Sequence, residues 1–122
     1  MTSTSPVSFG DVQRDALEVL RRYDELSRQT IGRTWTNSEI ALGFVGDVGD
    51  LSKFVMAEEG TRSFPGDNRA RLIHELCDCI WSCLVLADRY NIDLETEFPA
   101  QMDDLRSHIG TLAGSPTAEA TT

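Results

Sequence analysis

No stretch of this sequence approaches the roughly 20 apolar residues that a membrane-spanning helix needs. Its polar start, MTSTSPVS, lacks the basic and apolar segments of a signal peptide. Both absences point to a cytoplasmic protein with no membrane partner. Strand signals are missing as well, which leaves an all-α chain. Basic residues are scarce: 11 Lys and Arg stand against 20 Asp and Glu, for a net charge of −9 and a pI near 4.5. That balance argues against a nucleic-acid polymer as partner. A nucleotide can still bind where metal ions mask the carboxylates. Cysteine is also sparse, and Cys77, Cys79 and Cys83 all lie in one apolar segment. An odd, helix-confined set excludes a disulfide framework. Only His74 and His108 are available to complete a zinc site, so the three read as buried, reduced thiols, small hydrophobes in effect.

What is present fits one domain of modest size. The 122 residues are 40% hydrophobic, enough for a small core, and small domains often rely on partners. Residues 1–8 read as a flexible start, 9–110 as the helical domain, and 111–122 as a disordered tail.

Four helical segments follow in order. From Phe9 to about Thr30, Val12, Ala16, Val19, Leu20, Tyr23 and Leu26 keep helical spacing, with charges on the other face. Gly32 breaks the pattern. Thr36 and Glu39 match the Thr-x-x-Glu capping box and start a second helix that runs to about Glu58. EGTRSFPGD, residues 59–67, reads as a loop. Asp67 or Asn68 then caps a third helix to about Tyr90, with Asn91 as terminator. Its apolar residues nearly encircle the axis, the mark of a buried helix. Asp93 caps a fourth segment, Leu94 to Ile109, in which Pro99 predicts a kink or a restart.

The second helix contains the most unusual stretch, ALGFVGDVGDLSK from Ala41 to Lys53. Asp47 and Asp50 are three residues apart, so they share a face of an otherwise apolar rod. Gly46 and Gly49 cost helix stability and would permit close approach of a helix or ligand. Glu75 and Asp78 repeat the plan on the third helix. If the two helices pack antiparallel, four carboxylates converge, and their repulsion calls for a hard divalent cation, best magnesium.

GDVGDLSK, then HELCDCIWSCLVLADRYNIDLE, resembles the MazG-like all-α nucleoside triphosphate pyrophosphohydrolases. The resemblance covers Trp35 to Asp104. It implies an oligomeric four-helix bundle, a homodimer or homotetramer, in which Asp47, Asp50, Glu75 and Asp78 bind Mg2+, with Mn2+ as substitute. The implied reaction cleaves a nucleoside triphosphate between its α and β phosphates, releasing monophosphate and pyrophosphate, a nucleotide-pool house-cleaning activity. Lys53 is the candidate phosphate partner, and Trp35 the candidate platform for a base. This chain departs from the family in two places. Its first acidic pair is Asp-x-x-Asp where glutamates are usual. Gln101 and Asp104 stand where relatives carry a substrate-holding lysine and asparagine, with Arg106 the candidate replacement.

Simpler roles compete at several positions. Trp35 and Trp81 serve a small core, His74 faces away from Glu75, and Arg62, Arg69 and Arg71 offset the acidic surface. The competing functional classes are a non-catalytic MazG-like nucleotide-binding or assembly module and a purely structural helical oligomer.

Overall fold

A computed structural model describes residues 6–114. Among them are four helices and no strand: α1 (Phe9–Ile31), α2 (Asn37–Glu59), α3 (Asn68–Arg89) and α4 (Leu94–Ala113). Among the described residues no helix is long and apolar enough to cross a membrane. The expected flexible start and disordered tail fall, over 1–5 and 115–122, outside the described residues. Residues 111–113, assigned to that tail from sequence, continue α4.

Local chemistry accounts for the helix ends. Ser8 and Asp11 form a reciprocal capping box on α1, and Gly32 closes that helix at φ 75°. Thr36 and Glu39 form the expected box on α2, closed by Gly60 at φ 82°. Glycine fits both C-terminal positions because the left-handed region costs it nothing. Asp67 accepts from the Ala70 amide to cap α3, and Asn91, at φ 55°, stops it as anticipated.

The chain divides into two compact units at Asn91 and Ile92. In the first, α1 and α3 run parallel. The Trp81 indole donates to the Ala16 carbonyl at 3.0 Å, and Arg89 approaches Asp24 at 4.0 Å. The α2 helix runs antiparallel to α3: Arg89 donates to Asn37 Oδ1 and to the Trp35 carbonyl, while Arg71 lies over the Phe54 ring at the far end. Leu20, Ile40 and Val85, one from each helix, form the core, and Leu17, Trp35, Trp81 and Leu86 pack around it. Complete burial of Val85 contributes about 2 kcal/mol.

In the second unit α4 is one continuous helix through Pro99. The restart considered from sequence does not occur. The Asp93 carboxylate accepts from the Thr96 hydroxyl rather than from a backbone amide.

The third helix departs from its expected burial. Ile73 and Ile80 are 55% and 56% exposed, because α1 and α2 cover only part of an apolar circumference. The cysteines follow. All three are free, as expected, but Cys77 and Cys83 are exposed and Cys79 is half-buried. Of the two roles expected for Gly46 and Gly49, close approach of a helix is not seen within the chain, since a Cβ at either would meet nothing within 4 Å. Neither glycine serves close helix packing within the chain.

Candidate metal centre

The antiparallel pairing of α2 with α3 sets the two acidic pairs at the same level midway along the helices, but the donor atoms that lie within 4.8 Å of one another are those of His74, Glu75 and Asp78 on α3, and neither aspartate of α2 joins them. Asp47, Asp50, Glu75 and Asp78 are all half-buried. Each pair occupies one helical face by its three-residue spacing, and both faces turn toward the shared interface.

Their electrostatics report the same convergence. Burial pushes the Asp47 carboxyl above its ordinary pKa, and repulsion from Asp78 and Asp50 adds to the rise, while His74 opposes it. Glu75 is also raised, first by burial, then by Asp47, Asp50 and Asp78. The couplings cross from one helix to the other, so the four groups form a single electrostatic cluster. Glu75 Oε2 is buried without any hydrogen-bond partner. Such an atom forfeits its hydration without recompense.

The other sequence candidates fall as follows. Lys53 pairs with Asp50 at 3.3 Å and is exposed, which places it at the edge of the cluster. Trp35 stacks at a tilt on Tyr23, with 5.4 Å between ring centroids, and its own carbonyl is held by Arg89. Arg106 belongs to α4 and pairs there with Asp103 at 2.6 Å. Of the three arginines around the α2–α3 loop, Arg62 lies over Phe64, Arg69 approaches Glu58 at 4.0 Å and Arg71 lies over Phe54.

His74, read from sequence as a satisfied or surface histidine facing away from Glu75, is exposed, and its Nε2 lies 3.0 Å from Asp78 Oδ2. His74, Glu75 and Asp78 each offer a donor atom within 4.8 Å of the others. The available signal was the four-residue spacing from His74 to Asp78, which places them one above the other on a helix.

Beside the cluster opens a cavity of about 700 Å³ among α1, α2 and α3, lined by Tyr23, Trp35, Ile40, Ile80, Trp81 and Leu84 among others. Asp47 and Asp78 border it, as do Asp15 and Glu39, and no Lys or Arg is among its walls. An aromatic and apolar chamber with carboxylates on its border is chemically two-sided. It can take a flat apolar-faced group, but an anion only with a cation between. No protein-family model and no curated protein sequence matches the chain.

Proposed function

We propose that the protein is a Mg2+-dependent nucleoside triphosphate pyrophosphohydrolase of the MazG-like type, cleaving between the α and β phosphates to release monophosphate and pyrophosphate. The observation that carries this reading is the coupling of Asp47, Asp50, Glu75 and Asp78 across the α2–α3 interface.

The donor set fits magnesium. Four carboxylates supply the hard oxygens such an ion prefers, and the orphaned Glu75 Oε2 is an acceptor awaiting a positive partner. A dication held by these residues supplies charge against the phosphoryl oxygens and makes water more acidic. The chain's own groups do the rest. Lys53, already beside Asp50, can exchange that ion pair for a phosphate oxygen. Trp35 and Tyr23 offer aromatic faces to a base, and the apolar walls exclude water from it. Because the cavity walls carry acids and no cations, a triphosphate would enter only in company with the metal.

Assembly as a homodimer or homotetramer belongs to the same proposal. Leu42, Val45, Ile73, Leu76 and Ile80 are exposed apolar side chains on α2 and α3, and extensive apolar surface of this kind marks an interface. Two observations favour a second reading, a MazG-like module that binds nucleotide without turning it over. The aspartates of α2 are a methylene shorter than glutamates, and Lys53 is engaged by Asp50.

The test is pyrophosphate release from a panel of dNTPs with Mg2+, by the native chain and by Glu75→Ala. The expected result is turnover by the native chain and a loss of at least about 100-fold in the variant, since even outer-shell partners of a metal cost up to that much. Equal rates would remove the carboxylates from the reaction. Nucleotide binding without turnover would favour the second reading.

A further inference from the structure

The α4 helix belongs to the second compact unit, and none of its residues is buried. It contains both Pro99 and Gly110, two poor helix formers. Helices in proteins draw most of their stability from packing an apolar face, so α4 needs a partner for its own.

That face is laid out for one kind of partner. Phe98, Met102, Leu105, Ile109 and Leu112 follow one another at spacings of four, three, four and three, the a/d repeat of a coiled-coil seam. Phe98, Leu105, Ile109 and Leu112 are between 50% and 63% exposed. The seam is narrow, because Gln101, Arg106 and His108 flank it. A helix that covers a globular core shows a wider stripe. A strip of this width fits one other helix, and a second copy of the chain supplies the same strip.

We propose that α4 pairs antiparallel with the α4 helix of a second copy. Charge sets the direction. The same repeat, carried back one step, places Glu95 in the seam, where a parallel pair would hold two glutamates face to face. The antiparallel register sets position 98 against position 109 and position 102 against position 105. It sends the two glutamates to opposite ends. All four acids of α4 (Glu95, Glu97, Asp103 and Asp104) precede Leu105, while Arg106 and His108 follow it. Antiparallel pairing therefore lays each acidic half beside a basic one and opposes the helix dipoles favourably. The four exposed seam residues bury roughly 100 Å² apiece. With the flanking side chains, the two copies together reach about 1,000 Å², where specific interfaces begin. This surface adds to the one read on α2 and α3, and it stands independently of the proposed reaction.

The test is sedimentation equilibrium of the full chain: wild type, Phe98→Asp, Ile109→Lys, an equal mixture of those two, and Ser107→Asp on the outer face of α4. Circular dichroism checks that each remains folded. Phe98→Asp and Ile109→Lys alone should each fall to half the wild-type mass, and Ser107→Asp should keep it. Mixing the first two should restore the wild-type mass, because the register sets their opposite charges against each other. Ile109→Ala, too mild to unfold the chain, should weaken self-association about tenfold or more. A monomeric wild type would overturn the proposal. So would wild-type mass in both seam variants, which would leave assembly to α2 and α3. Halved mass in both variants with no restoration on mixing would overturn the antiparallel pairing.

Discussion

Two stretches of the same helix pair are built on opposite plans. At one end, Ile40 of α2 meets Val85 of α3 and Leu20 of α1, and Arg89 ties the start of α2 to the end of α3 through the Trp35 carbonyl and Asn37. Two turns along α2, the interface changes character: half-buried Asp47 and Asp50 stand across from Glu75 and Asp78, and Glu75 Oε2 is left unpaired. The first stretch pairs its polar groups, whereas burial and mutual repulsion push the Asp47 and Glu75 carboxyls up in the second. Local conflict within an otherwise consistent structure is where function is expected to reside. A stable bundle alone would not need four acids at that place.

Breaking the packed stretch should have the larger effect on stability. Val85 is wholly buried, so Val85→Ala removes two methyl groups from a closed site. The expected loss is about 2 kcal/mol, read as a lower denaturant midpoint with unchanged slope. A loss under about 0.5 kcal/mol would mean that the site collapses around the smaller side chain, and that the core is less well fixed than its burial implies.

Much of this contrast could be read from the residues before any coordinates. Spacing of three put each acidic pair on one face, and Thr36 with Glu39 announced the start of α2, because both follow from helix geometry alone. The cap of α1 was not legible. Its box is Ser8 with Asp11, and the expected pattern asks for Glu or Gln at the third position. The contact of His74 with Asp78 was not anticipated, because the histidine was weighed only against its neighbour Glu75 and its partner lies a turn later. The exposure of Cys77 and Cys83 escaped for another reason. An apolar circumference predicts that something covers it, and says nothing of whether that cover lies within the chain.

Breaking the acidic stretch should act in the opposite direction. The raised pKa values of Asp47 and Glu75 mean that the folded chain holds protons on them more tightly than the unfolded chain. The resulting penalty is fully present above the folded-state values. It fades as pH falls through them and is gone below the unfolded ones. Glu75→Gln should therefore raise the melting temperature in metal-free neutral buffer, by less than Val85→Ala lowers it. The advantage should shrink on acidification. Added Mg2+ should stabilise the wild type, since ligands of the folded state act by mass action, and leave the variant unmoved. A variant less stable than the wild type in metal-free neutral buffer would show that the acids already have partners within the chain.

The smallest effect is expected where a carboxylate is satisfied. Glu39 is hydrogen-bonded bidentately by Arg33, at 2.7 and 3.0 Å, and accepts from the Thr36 amide at 2.9 Å. The guanidinium first, and the amide second, lower its pKa to about 2. The sign is the reverse of that at Asp47. A depressed carboxylate stabilises the fold above its unfolded value of about 4.5, and that contribution is lost as pH falls toward 2. Glu39→Gln retains the capping geometry, because Gln also serves at that position, and removes only the charge. The melting temperature should fall slightly at neutral pH, as exposed ion pairs contribute little, and wild type and variant should converge near pH 2. Equal melting temperatures at neutral pH would mean that the Thr36 cap alone fixes the start of α2. The entry to the acidic stretch would then be set by backbone geometry alone.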